Sequence, residues 1–353
     1  MSICIKRETV SYDDFMKQPP IIIVTSACAL SGGVVGAGFI TGREISSFFA
    51  FDFSVSGAYS FAVVFVLCFL ISFISVRQPI FDFCLNFFVS LINLVVLACL
   101  FSAFDTICAT CFRLSEKVKL FSIISAILMF FIARNDMRNI KIITSVIVPV
   151  EVIILIISAL CVPRKSLPYS PSTSKGVFYP LLYAGINFLL NIRNADEILN
   201  GQPLKNKIFS VAVSVCLLTS LIILIASVVG GVEGNTPFID VVDKRSHIWG
   251  LLLIGTTLSS CFIASLTTGR SVFRLCSDSD ILKFLFVIIA LAMSEAGFSF
   301  IIDKIYPVIG AIGLFVSVCM LFLLIFFQKG RQRRTSDRQD NIKLRCLPLQ
   351  DRV

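Results

Sequence analysis

The sequence predicts an all-α integral membrane protein of about ten transmembrane helices, and two observations lead there. Hydrophobic residues make up 56% of the 353 and charged residues only 15%, against about a quarter charged in soluble domains. The apolar residues also fall in long runs separated by short charged segments, and 34 phenylalanines suit a lipid-facing surface. A bilayer core about 30 Å thick needs roughly 20 apolar residues per helix. Ten segments meet that requirement: 21–51, 58–76, 79–104, 118–133, 139–162, 176–195, 207–230, 247–273, 281–301 and 305–327.

The ends and loops set the expected orientation. Residues 1–20 carry Lys6, Arg7, Glu8, Asp13, Asp14 and Lys17 before an apolar run too long for a cleaved signal, so that helix is expected to be retained. With the N-terminus inside, the inner segments hold 21 Lys and Arg and the outer ones nine, which satisfies the positive-inside rule. Both termini are therefore expected on the cytoplasmic face of a cell membrane. The tail, 329–353, has eight basic and three acidic residues. It reads as a solvated anchor beside anionic lipid, not as a nucleic-acid binder. The transmembrane domain is then 21–328, and the oligomeric state stays open.

The first apolar run is interrupted by Gly36-Ala37-Gly38 and then by the charged pair Arg43-Glu44, with Gly32 and Gly33 just before. Irregular backbone survives at membrane depth only where protein buries it or where it lines a cavity. Ten helices split into halves of five, about 21–162 and 176–327, and an odd number per half inverts one half relative to the other. The sixth segment carries Pro180, Gly185, Asn187 and Asn191, so helices 1 and 6 are both expected to be discontinuous. Paired interruptions of this kind mark solute sites in secondary transporters.

Residues 31–45, SGGVVGAGFITGREI, and 297–314, GFSFIIDKIYPVIGAIGL, with Tyr183 and Asn187 between them, resemble the YkvI-like family of bacterial membrane proteins. That family is placed in the amino acid–polyamine–organocation superfamily. The resemblance implies the LeuT-type fold, a five-plus-five inverted repeat. Arg43 stands where such sequences often have Gln, and the polar end of helix 6, with Asn191, Arg193 and Asn194, also departs from the pattern.

Each candidate residue has two readings at this level. Unwinding at Gly36–Gly38 would expose N–H groups at the positive end of a half-helix, so Gly36, Ala37, Gly38 and Phe39 are candidate substrate contacts. The alternative is close helix packing through the glycines. Tyr183 and Asn187 would complete the substrate site from helix 6, or simply bond neighbouring helices. Arg43 and Glu44 would gate the site, or Glu44 would bind an amine or a coupling proton; a local ion pair is the other reading. Glu151, after Pro149, is an isolated acid at membrane depth and hence a functional candidate by default, carrying coupled protons; a purely structural partner is the other reading. In the LeuT-type fold, paired hydroxyls of helix 8 meet carbonyls of helix 1 at a sodium site. The resemblance thus makes Gly32, Val35, Ser259 and Ser260 candidate ligands, although Ser and Thr in helices often bond only their own i−4 carbonyl.

Thirteen cysteines sit mostly in apolar runs as small hydrophobes, and Cys108-Ala109-Thr110-Cys111 reads as a lone CxxC in a loop. The single histidine and the lack of HExxH, GxSxG or P-loop motifs argue against an enzyme. No cofactor is expected beyond a coupling Na+ or H+. The partners expected are the lipid bilayer and a small-molecule substrate. The expected function is secondary active transport of a small polar solute, an amino acid or related amine, by alternating access. The alternative is a ligand-sensing membrane receptor subunit of the same fold without net transport.

Overall fold

The computed structural model describes residues 19–49, 55–74, 79–112, 119–134, 137–163, 175–230, 232, 234–276, 279–323 and 325. Of the N-terminal segment expected at 1–20, residues 1–18 lie outside the described residues, and so does the tail expected at 329–353. Among the described residues there is helix and turn but no strand.

The chain begins with three short helices, α1 (Pro19–Gly32), α2 (Ala37–Ile40) and α3 (Arg43–Phe49). Longer ones follow: α4 (Val55–Ile74), α5 (Pro79–Phe112), α6 (Leu120–Ala133), α7 (Met137–Leu160), α8 (Lys175–Ile198) and α9 (Leu204–Val229). A short α10 (Pro237–Arg245) leads to α11 (His247–Phe273), α12 (Asp280–Met293) and α13 (Phe298–Leu323), which contains a π-helical turn at Ile301–Ile305. Five helices are long and apolar enough to cross a membrane, and α1, α6 and part of α7 are shorter apolar helices. Large apolar side chains such as Phe83, Ile248, Ile281 and Phe315 face outward. A water-facing surface does not carry such an apolar belt.

Several boundaries differ from expectation for local reasons. Helix α5 runs on to Phe112 because no Gly or Pro interrupts it after Pro79. Cys108 and Cys111 therefore lie within that helix, not in a loop, and both are free thiols. Helix α12 ends early, at a 3₁₀ turn followed by Gly297 with φ +89°, a backbone region that disfavours other residues. Helix α10, in what reads as a loop, starts with Pro237 in its first turn, where proline's missing N–H costs nothing.

The largest departure is α8. It was expected to be broken, yet it runs continuously from Lys175 to Ile198 with Pro180 inside. Pro180 falls within the first two turns, where few ladder bonds are at stake. Further along, Asn187 Nδ2 donates to the Tyr183 carbonyl (2.9 Å) and Asn191 Nδ2 to that of Asn187 (3.0 Å). The amides thus brace the helix that their polarity seemed to interrupt.

Packing brings α1, α4 and α13 against α8. A Cβ on Gly310 or Gly313 would collide with the backbone of Leu182 or Gly185, and one on Gly185 with the carbonyl of Gly310. The α8 and α13 backbones therefore touch directly, which only glycine permits. On the other side, Phe61, Phe65 and Phe69 of α4 form a ladder of rings, with Phe69 edge-on to Phe188 of α8 at 5.5 Å. Such ring pairs are worth about 0.5–1.5 kcal/mol each beyond their burial. Ser31 of α1 and Ser214 of α9 share a hydrogen bond of 2.9 Å, while Asn93 of α5 bonds Ser271 of α11 at 3.1 Å.

Gly313→Ala should therefore lower stability by about 1–3 kcal/mol, read as a fall in the thermal unfolding midpoint in detergent. Gly255→Ala, where an added Cβ meets only open space, serves as the control and should be neutral or better. Equal midpoints for the two variants would contradict the direct α8–α13 contact.

Candidate functional site

The site is built on the interruption between α1 and α2. Helix α1 stops at Gly32, turns occupy 33 to 35, and Gly36 is extended (φ −100°, ψ −172°) before α2 begins. Breaking a helix frees its carbonyls, and buried carbonyls need donors. Two side chains from other helices supply them. Asn191 Nδ2 of α8 donates to the Gly33 carbonyl (3.4 Å), and the Ser260 hydroxyl of α11 donates to that of Val35. At the start of α2, the N–H groups of Ala37 and Gly38 have no hydrogen-bond partner among the described residues. Gly42, with φ +77°, makes the second turn, and the Phe238 N–H at the head of α10 docks on the Thr41 carbonyl (2.8 Å).

Glu44 closes over this break. Its carboxylate lies so near Gly38 that any Cβ there would collide with it. The Tyr183 hydroxyl donates to its Oε2 at 2.7 Å. Tyr183 itself is fully buried, locked between Phe48, Phe49 and Phe61 at ring separations of 5.3–5.5 Å. Helix α3 thus delivers the acid, and an aromatic cage fixes the hydroxyl that orients it.

Beneath Glu44 lies a cavity of about 30 Å³ lined by Gly36, Ala37, Gly38, Asn187 and Asn191, with Asn93, Thr267, Thr268 and Tyr306 across from them. That is room for one or two waters, so a larger solute needs its walls to separate. A second, wider cavity of about 530 Å³ lies around Arg43, Tyr179, Asn235 and Asp303. Arg43 pairs with Asp303 and donates to the Gly234 carbonyl (2.8 Å), while Ser47 donates to Asp303 (2.9 Å). The π turn in α13 carries Asp303; such turns recur at functional sites. At the other end of α8, about 27 Å from Tyr179 at 1.5 Å per residue, Glu197 pairs with Arg274 at 2.5 Å. Arg270 of α11 reaches the Ala133 carbonyl at the end of α6 (3.5 Å).

The remaining candidates separate. Glu151 is buried in α7 beside the Ser260 hydroxyl, and neither carboxyl oxygen has a hydrogen bond of normal geometry among the described residues. Val35, Ser260 and Glu151 thus form one small polar cluster. Ser259 is not part of it, because its hydroxyl bonds its own Gly255 carbonyl (2.7 Å). Gly32 meets α7, where an added Cβ would lie 2.8 Å from Val148 Cγ2. Phe39 is fully buried in the core and does not line the small cavity. Tyr183 reaches that cavity only through Glu44.

Two site contributors and one structural acid went unrecognised in the sequence. Asp303 sits among charges that read as a loop, and only the fold brings it to Arg43. Asn93 bonds Ser271 between helices and also lines the cavity. Asp105, buried in α5, accepts from the Ser122 N–H (2.9 Å) at the head of α6, which is a structural cap.

A double-mutant cycle tests the centre of this arrangement. Tyr183→Phe and Glu44→Gln, alone and combined, should show a coupling of about 1.5–3 kcal/mol in unfolding free energy in detergent, as for a buried hydrogen bond to a charged group. Strict additivity would mean that the hydroxyl does not hold the acid. No family model matches the chain, and no curated protein matches it.

Proposed function

We propose that the chain is a secondary active transporter that moves a small polar solute by alternating access, with the solute held at the α1–α2 break against α8. The observation that carries this reading is the break itself. Ala37 and Gly38, whose N–H groups have no hydrogen-bond partner among the described residues, line an interior cavity in a chain with several helices long and apolar enough to cross a membrane. Such irregular backbone is tolerated there because it lines a cavity, and half-helix ends of this kind hold solutes in transporters.

In this reading the chain adopts the LeuT-type fold of ten spans in two inverted halves, with helix 6 continuous, and belongs with YkvI-like membrane proteins. It lies in the cell membrane with both termini in the cytoplasm. The Arg43–Asp303 pair then closes the outer approach, where the 530 Å³ cavity is the vestibule. The contacts of Glu197 with Arg274 and of Arg270 with Ala133 close the inner one. Solute entry separates one set while the other holds. Glu151, beside Ser260 and Val35, takes up the coupling proton or sodium ion, since a buried carboxylate must be neutral, paired or hydrated.

Reconstitution into proteoliposomes tests this. Saturable uptake of labelled amino acids or amines, accelerated by unlabelled solute on the opposite side, is the expected result; Gly38→Leu should abolish it. Binding without flux would support a sensor subunit instead. Glu151→Gln should keep solute exchange at equilibrium while losing accumulation driven by a proton or sodium gradient. Undiminished gradient-driven accumulation in that variant would remove Glu151 from coupling.

A further inference from the structure

We propose that the groove between α5, α6 and the back of α11 is a phospholipid site, in which one acyl chain fills the groove and the phosphate rests on Lys119. The site is separate from the two cavities above and stands whether or not the chain moves a solute.

The groove has the size and chemistry of a hydrocarbon chain. It holds about 410 Å³ and is walled by Phe104 and Phe112 of α5, Phe121 and Leu128 of α6, and Leu258 and Phe262 of α11. A methylene takes up a little less than the roughly 30 Å³ of a liquid-water molecule, so a long acyl chain fits. Only Cys108 and Ser125 bring polar side-chain atoms to the walls, and the Ser125 hydroxyl already donates to the Ser122 carbonyl (3.0 Å). Little is left there to hold water or a polar ligand. Along α6 the lining runs from Phe121 to Leu128, about 11 Å at 1.5 Å per residue. That is most of one leaflet's share, about 15 Å, of the hydrocarbon core. The exposed Ile123, Ile127 and Phe131 of α6 continue the apolar surface beside it. A helix from a second copy would want small residues against it, whereas this lining is mostly Phe, Leu and Ile.

Charge marks one end of the groove. Lys119 caps α6 two residues before Phe121, whose ring stacks on Phe112 at 5.7 Å. Long basic side chains reach for the membrane boundary while their stems stay on apolar surface, so the switch from Lys119 to an apolar helix puts that boundary here. Glu295 (3.7 Å) and Asp105 (4.0 Å) lie within ion-pair range of the ammonium, yet no hydrogen bond engages it among the described residues. Asp105 already accepts from the Ser122 N–H (2.9 Å), and Glu295 is exposed, where water and salt screen it. The donors of Lys119 therefore remain for a phosphate, and bonds between two charged groups are roughly twice as strong as neutral ones. A chain in the groove would also back α11. Ser260, which donates to the Val35 carbonyl at the break, lies between Leu258 and Phe262 in sequence and on the opposite face of the helix.

The test uses the full chain in detergent, with native mass spectrometry to count retained lipids and the thermal midpoint to read their effect on stability. The probes are dipalmitoyl phosphatidylglycerol, its dihexanoyl counterpart and dipalmitoylglycerol, which lacks the phosphate. One tightly held long-chain phospholipid is expected, with a raised midpoint that neither of the other two probes matches. Leu128→Trp, at an exposed position that crowds the groove, should weaken retention roughly tenfold, the cost of displacing about two buried methylenes. Ser125→Phe fills the groove from its floor and stands in if Leu128→Trp does not fold. Ile281→Trp, on an exposed face of α12 outside the groove, should bind as the unaltered chain does. Lys119→Gln should still hold an acyl chain but lose the preference for phospholipid over dipalmitoylglycerol. Equal retention in Leu128→Trp and Ile281→Trp would overturn the proposal, since the whole apolar belt would then hold lipid alike. A dimer that Leu128→Trp dissociates would also overturn it, by putting a second copy in the groove. An undiminished phospholipid preference in Lys119→Gln would overturn the place given to the phosphate.

Discussion

The interruption of the first helix at Gly33–Gly36 is the constraint around which the rest is arranged. A broken helix inside an apolar interior leaves peptide groups that water cannot reach, and each left unsatisfied costs about 1–3 kcal/mol. The carbonyls of Gly33 and Val35 are met by Asn191 of α8 and Ser260 of α11. Those two helices must therefore face the break, and their amide and hydroxyl groups sit where the packing needs donors. The N–H groups of Ala37 and Gly38 keep no partner among the described residues, and both residues line the cavity. The stabilising and the receptive parts of the site are thus two sides of one backbone event.

Rigidity and adaptability are divided between elements. Helix α8 is clamped by the aromatic ladder of α4 on one side and by the glycine contact with α13 on the other. It presents Tyr183, Asn187 and Asn191 from a fixed position. The short helices α2 and α3, by contrast, are joined by turns and tied down by single bonds such as Thr41 to Phe238. Motion is more readily accommodated there, and the Arg43–Asp303 pair lies in the same region. With side chains 16% and 36% exposed, the pair is partly open to solvent, and such pairs contribute little to stability, so it can part and re-form without endangering the fold.

Much of this was legible in the amino-acid sequence. Glycine clusters followed by Arg43-Glu44 located the broken helix, because few other patterns disrupt an apolar run so completely. Glu44 was a candidate because it directly follows that break, Asn187 because of its place in helix 6, and Ser260 through the family resemblance. The fold puts Glu44 and Asn187 in the lining of the small cavity and Ser260 on the Val35 carbonyl. The continuity of α8 was not legible, since whether Asn side chains break a helix or brace it depends on which carbonyl they reach. The choice between Ser259 and Ser260 is set by helix rotation, which apolar periodicity leaves loose in a helix hydrophobic on most sides. Asp303 was invisible as a partner because 260 residues separate it from Arg43.

Hydrogen exchange resolved to single amides across residues 30–42 probes the central claim most directly. The account predicts that the Ala37 and Gly38 amides exchange far faster than those in the middle of α1 or α5, and that a bound solute slows them. Protection of both amides at the level of the α5 interior, unchanged by any ligand, would mean that the first helix is unbroken and the site is elsewhere.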